Sequence, residues 1–294
     1  MEHDDDAARQ AAATLDAHPD YRVLRRLPDR PASDGAGEPV RYGLYVDVET
    51  TGVDAAHDRI IELAMVLFGY DAQGRVTGSY DRFDQLEDPG RPIPPDVTAL
   101  TGIRDEDVRE RRLDEEEAQA LIARAHLVVA HNAAFDRAFL ESRLPVFERL
   151  PWACSAVDVP WTEEGMESRK LEWLAYRYGT FYDGHRAVHD CIAGVHVLAR
   201  PLPTSGTIAM NALLDAARRT TVVFAAVGAP FEVKDLLKAR GYRWRSGRKV
   251  WVRAVPDDLA DEERAWLADR IYGGPSRAQE RTSTAFDRYS PRTE

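Results

Sequence analysis

The chain has 294 residues, a hydrophobic fraction of 44% and a formal net charge of −11. That length exceeds the roughly 100–200 residues of one usual domain, so a large domain plus a small one is expected. The acidic balance excludes wholesale coating of a polyanion but allows a local basic patch; with no run of about 18 apolar residues and no basic-then-apolar leader, a soluble, cytoplasmic protein without membrane contact is expected.

Residues 1–40 combine an acidic opening, an alanine-rich stretch at Ala7–Leu15 and a Pro/Gly/Asp-rich segment from Pro28 to Pro39. They predict an N-terminal extension, partly disordered: a short helix, then a mobile linker, with Tyr21–Leu27 able to pack onto the domain that follows. The next stretch, Tyr42–Gly52, reads Tyr-Gly-Leu-Tyr-Val-Asp-Val-Glu-Thr-Thr-Gly. As a strand it puts Leu44, Val46 and Val48 on one face and Asp47 with Glu49 on the other. Two carboxylates projecting together repel unless a proton or a cation neutralises them. Hard oxygen ligands favour magnesium or manganese, so a metal site is expected if more acids converge here.

Arg59–Tyr70 and Val76–Phe83 are apolar runs separated by turn residues, which with the first strand predict a three-stranded antiparallel meander. Pro94–Val108 breaks into short helical turns, and Leu113–Ala125 has helical apolar spacing. Leu127–His131 is a short buried strand leading into a helix over Asn132–Leu140, a parallel unit added to the meander. Trp152–Val157 predicts another strand, and Leu171, Leu174, Ala175 and Tyr178 a helix face. Ala187, Cys191, Val195 and Leu198 form the stripe of a helix that Pro201 and Pro203 end. Cys154 and Cys191, the only cysteines, are too few for a disulfide scaffold and read as core thiols.

Thr207–Ala217 predicts a helix that hinges to a second unit. That unit contains a strand at Thr221–Val227, a helix at Phe231–Arg240, a hairpin over Tyr242–Arg253 turning at Ser246-Gly247, and a helix at Pro256–Tyr272. From Gly273 the tail is polar and is expected to be disordered. Between Lys234 and Arg253 stand eight basic residues against the single acid Asp235, with Trp244 and Trp251 interleaved. Two readings stay open: a single-strand-binding surface that delivers ends to the first domain, or a small core with a solvated basic face.

Two further acids join the opening pair. Asp136 follows the strand ending at His131, where α/β folds place their sites, although an Asp there also caps helices. Asp190, within Gly184-His-Arg-Ala-Val-His-Asp190, lies at the margin of an apolar helix stripe and needs a partner. His185 and Asp190 would be about 140° apart on one helix, so His185 is expected in the loop before it, which Gly184 permits. His189 falls inside the helix, and no glutamate completes a zinc motif between the two histidines.

Asp47-Val-Glu49-Thr-Thr-Gly, His131-Asn-Ala-Ala-Phe-Asp136, and His185 with Asp190 together resemble the DEDDh family of 3′–5′ exonucleases, which includes the proofreading epsilon subunit of bacterial DNA polymerase III and RNase T. Ile93–Ile103 is similar to the stretch these proteins carry between their first and second motifs, and the resemblance spans Arg41 to Pro201. It implies an α/β, ribonuclease H-like mixed sheet (antiparallel meander plus parallel strands) flanked by helices for the nuclease domain at 41–203; beyond it, the residue pattern itself predicts a small α+β unit at 204–272 and a disordered tail at 273–294. It implies two Mg²⁺ ions, Mn²⁺ able to substitute, held by Asp47, Glu49, Asp136 and Asp190, with Asp47 bridging and His185 as general base. Thr50, Thr51, His131 and Phe135 would meet the 3′-terminal nucleotide; hydroxyl-stabilised turn residues and, for Phe135, a core position are the alternatives. Partners would be nucleic-acid 3′ ends, chiefly single-stranded DNA; a polymerase or repair partner and a second copy of the chain stand as possible partners. RNA ends are the alternative substrate, and a non-catalytic binding module the alternative of another class. That all four acids and the histidine are present favours the enzyme.

Overall fold

A computed structural model of the chain describes residues 2–29 and 38–293, so most of the linker expected to be mobile lies outside the described residues. In chain order the elements are α1 (Glu2–Asp16), β1 (Arg25–Arg26), β2 (Arg41–Thr50), β3 (Ile60–Tyr70), β4 (Val76–Leu86), α2 (Pro95–Thr101), α3 (Asp105–Val108), α4 (Glu115–Ile122), β5 (Leu127–Ala130) and α5 (Ala133–Arg143). Then come β6 (Trp152–Cys154), α6 (Leu171–Arg177), β7 (Thr180–Phe181), α7 (Ala187–Leu198), α8 (Ala209–Arg218), β8 (Thr221–Ala225), α9 (Lys234–Ala239), β9 (Arg243–Arg245), β10 (Val250–Pro256), α10 (Ala260–Trp266) and β11 (Gln279–Ser283).

The main sheet has the order β4-β3-β2-β5-β6. The expected antiparallel meander supplies β2, β3 and β4, and β5 and β6 add in parallel to β2. All residues of β3 are buried because both of its neighbours and both of its faces are covered. Strand β4 is the edge and carries exposed Asp81, Arg82 and Asp84, charges that discourage edge-to-edge pairing.

Alternation along β2 divides the core. Leu44, Val46 and Val48 pack with residues of α4 and α5 on one face, while Tyr45 packs with α6, α7 and α8 on the other. Asp47 and Glu49 follow Tyr45 on the α7 side. Helix α7 sits unusually close to the sheet there, since a Cβ on Gly194 would stand 2.0 Å from the Tyr45 ring.

The N-terminal segment docks on this domain: β1 pairs in parallel with β7, Leu27 is buried, and Arg22 donates to the carbonyls of Tyr176 and Arg177. Both cysteines are free and buried.

A second sheet, β11-β8-β10-β9, is antiparallel throughout, with the hairpin β9–β10 turning at 246–249 as expected. Helices α9 and α10 cover one face, around Val222, Phe224, Leu237, Val255 and Leu267.

Two expectations need correction. Helix α8, expected as a hinge, buries Met210, Leu213 and Leu214 in the core shared with α7, so its strong apolar stripe belongs to the first domain. The tail after Gly273, expected to be disordered, forms the edge strand β11 and then straps back across the nuclease domain. Along the strap, Ala285 accepts from the Trp152 amide at 2.8 Å, and Phe286 and Arg288 accept from the fully buried Arg137 guanidinium. Arg137 also pairs with Glu141 at 2.7 Å, and Ser290 and Arg292 donate to the same Glu141. The polar composition that suggested disorder is spent on satisfying these buried groups.

Candidate active site

The sequence builds the site at the carboxyl end of β2, where three elements converge. Side-chain oxygens of Asp47 and Glu49 from β2 and Asp190 from α7 lie within 4.8 Å of one another. Asp136, in the first turn of α5, is buried in the same cleft but lies outside that close group of three. The cleft has a volume of about 270 Å³, and His131, Phe135, Lys170, Glu172 and His185 also line it.

Electrostatics mark these carboxylates as strained without a counter-charge. Burial, followed by repulsion from Asp136, Asp190, Glu49 and Glu62, pushes the Asp47 carboxyl well above the usual range. Burial, Asp190 and Glu62 raise Glu49 to about 7, with Arg186 opposing. Asp136 and Asp190 are raised too, each chiefly by burial.

What holds Asp190 in place is largely absent from the expected set. Its Oδ1 accepts from the Tyr182 hydroxyl at 2.9 Å and its Oδ2 from the His185 amide at 3.0 Å. Glu62, fully buried on β3 and paired in register with Glu49, accepts from the Ala187 amide at 3.0 Å and from the Arg186 guanidinium at 2.8 Å. A carboxylate on the first amides of α7 fixes where the helix starts and therefore where Asp190 points. Of the missed residues, only Glu62 carried a signal: a lone acid in an otherwise apolar central strand must have a partner.

His185 occupies the loop before α7, at φ +62, as its spacing with Asp190 required. Its ring is half-exposed, with Nε2 4.0 Å from Glu172 Oε1. His189 lies within α7 and bonds the Asp183 carbonyl at 2.9 Å, outside the cleft. His131 has both ring nitrogens engaged, Nδ1 with Ser155 Oγ at 2.9 Å and Nε2 with the Arg169 carbonyl at 2.7 Å. Burial lowers its pKa, so it presents a fixed neutral ring and no free base.

The profile of the RNase_T family, described as "Exonuclease", matches residues 44–198, more than half of the chain. The chain belongs to this exonuclease family. It is 35% identical over 153 residues to the DNA polymerase III subunit epsilon of Treponema pallidum, a match covering 49% of this chain and 68% of that protein. It is 32% identical over 168 residues to the DNA polymerase III PolC-type of Halalkalibacterium halodurans, covering 52% of this chain and 11% of that protein. Among solved structures it is similar to Exonuclease X in complex with 5′ overhanging duplex DNA, at 22% identity and a TM-score of 0.43, covering 58% of this chain and 99% of that one. It is also similar to E. coli Exonuclease I in complex with a 5cy-dT13 oligonucleotide, at 15% identity and a TM-score of 0.47, covering 74% and 63%.

In this exonuclease the cleft gathers Asp47, Glu49, Asp136, Asp190, His131, Phe135 and His185, and Phe135 is also half-buried against Phe139 at 5.0 Å. Thr50 and Thr51 do not line it. The Thr50 hydroxyl donates to the Gly52 carbonyl at 2.6 Å, and the Thr51 hydroxyl donates to Asp58 at 3.1 Å and accepts from Arg91 at 2.5 Å. Both threonines are buried, holding the turn that ends β2.

Proposed function

We propose that this exonuclease is divalent-metal-dependent, works in the 3′–5′ direction and releases nucleoside monophosphates, chiefly from single-stranded DNA. The observation that carries this reading is the meeting of three carboxylates within 4.8 Å beside a buried fourth, with a histidine on the loop that enters α7. An all-oxygen donor set whose own burial and repulsion oppose its charge suits Mg²⁺, with Mn²⁺ able to substitute. Asp47, Glu49 and Asp190 would hold one ion, and Asp136 with Asp47 a second. When bound, the pair supplies charge stabilisation for the attacking and leaving oxygens of in-line displacement at phosphorus.

The chain's own groups do the rest. His185 accepts a proton from the attacking water; its backbone tie to Asp190 keeps the imidazole beside the carboxylates. Tyr182 and Glu62 hold Asp190 and the start of α7 against the repulsion within the cluster. The rings of His131 and Phe135 receive the terminal nucleotide, while Thr50 and Thr51 brace the adjoining turn. DNA is preferred over RNA because the relatives are named as DNA polymerase III components, which also makes a polymerase the natural partner.

Matched end-labelled single- and double-stranded DNA and RNA, digested with Mg²⁺ or Mn²⁺, test the substrate part of this proposal. Stepwise shortening of single-stranded DNA faster than of RNA is expected. Faster RNA shortening would reassign the substrate.

A further inference from the structure

The second sheet has one face covered by α9 and α10 and one that is not. The uncovered face presents Val223 and Ala225 of β8, Val252 and Ala254 of β10, and Arg243 and Arg245 of β9, as the pairing of Val252 with Arg243 and of Val250 with Arg245 requires. It looks across a cleft of about 1130 Å³ onto Asn132, Ala134 and Val157 of the nuclease domain.

Three features define what this cleft suits. Its floor carries small side chains, leaving the sheet open where a globular domain would bury it under a further layer. Its charge is basic: Arg243, Arg248 and Arg281 line it, and among the described residues neither Arg243 nor Arg248 has an ion pair. The acids on its walls are already engaged, Asp158 by Tyr289 and the Cys154 amide, Glu280 by Arg264. Finally, it adjoins the catalytic cleft. Asn132 and Ala134 line the basic cleft, and His131, Phe135 and Asp136 line the catalytic one, so residues adjacent in sequence at the start of α5 front both clefts.

The hairpin's tryptophans do not take part. Trp244 and Trp251 pair across β9 and β10 and meet edge to face at 5.5 Å on the other side of the sheet. Arg240 and Arg253, on that side too, are bound to Glu263. Strand alternation sends Arg243 and Arg245 to the face opposite Trp244 and Trp251, with which they are interleaved in sequence.

We propose that the basic cleft holds the single-stranded segment 5′ to the nucleotide being removed, gripping phosphates with Arg243 and Arg248 and reading no base. This rests on the exonuclease reading above. The occupant is a polyanionic strand because the cleft offers guanidinium groups over a small-residue floor, while Tyr289, the aromatic that lines it, is engaged by Asp158; the adjoining catalytic cleft makes that strand a single-stranded end.

The test uses the full chain, with Arg243→Gln/Arg248→Gln and Trp244→Ala, and a 5′-fluorescein oligothymidylate of about 12 nucleotides, within the span of known single-strand sites. Binding is followed by anisotropy in EDTA. The double variant should bind about tenfold more weakly at 0.1 M salt, and its salt slope should be shallower by about 1.4, at about 0.7 per lost phosphate contact. Trp244→Ala should match the unaltered chain. Equal affinity and slope for the double variant, or a loss with Trp244→Ala as large as with the arginines, overturns the proposal. Hydrolysis of thymidine 5′-monophosphate p-nitrophenyl ester, too short to reach the cleft, should be equal in the double variant and the unaltered chain. If the unaltered chain does not hydrolyse it with any divalent metal, the exonuclease reading fails, and the binding data still decide the cleft.

Discussion

Gly194 of α7 lies so close to Tyr45 of β2 that an added Cβ would stand 2.0 Å from the tyrosine ring. The ring has nowhere to go: Tyr45 is fully buried and its hydroxyl bonds Ser155 at 2.7 Å. One turn before Gly194 is Asp190, so this approach sets how near Asp190 comes to Asp47 and Glu49.

Gly194→Ala should therefore cost about 2 kcal/mol in urea unfolding, overpacking outweighing the better helix propensity of alanine. It should also lower exonuclease turnover at least tenfold, because α7 must move outward to accept the methyl group. Unchanged stability together with unchanged turnover would show that the spacing of α7 does not govern the site.

The carboxylate cluster is held at a cost in stability. Asp47 is held where burial and four neighbouring acids oppose its charge. Asp47→Asn keeps the shape and removes the charge, so in EDTA it should melt several degrees higher than the unaltered chain while losing hydrolysis. Magnesium at about 100 times its Kd should raise the melting temperature of the unaltered chain by roughly 5–10 °C, from about 2.7 kcal/mol of linkage, and that of the variant far less. Calorimetry with and without metal reads both effects.

Acid sensitivity has a source away from the site. His196 is buried and accepts from the Arg200 guanidinium at 2.9 Å, and burial with that neighbouring cation lowers its pKa to about 4. The unfolded chain binds the proton near pH 6.5, so the unfolded state holds more protons between about 6.5 and 4. The contribution is complete above that window and falls away as pH drops through it, by roughly 2–3 kcal/mol. His196→Gln keeps an acceptor and cannot titrate. Its unfolding free energy should fall less between pH 7 and 4.5, and parallel curves for the two proteins would remove His196 as the cause.

Much of the nuclease domain was legible in the sequence because its signals are local. The two-residue alternation around Asp47 and Glu49, the strand-to-helix step before Asp136, and the helical offset that forced His185 into a loop all follow from backbone periods. What escaped is long-range. Glu62 holds the start of α7 from 125 residues away, so its apolar neighbours signal that it needs a partner but not which one. The strap at 284–293 reads as polar tail because its partners, Arg137 and Glu141, sit about 150 residues earlier. Arg243 and Arg245 look like one surface with Trp244 and Trp251 until strand alternation separates them.

The central claim is that Asp47 and its neighbours run metal-dependent hydrolysis from the 3′ end. The direct measurement is a time course on a 5′-labelled single-stranded oligodeoxynucleotide with the unaltered chain and with Asp47→Asn, in magnesium and in EDTA. A ladder shortening one nucleotide at a time in magnesium, absent in EDTA and absent with Asp47→Asn, is the predicted result. Release of the labelled 5′ nucleotide first, internal cuts, or a ladder that persists in EDTA would contradict it.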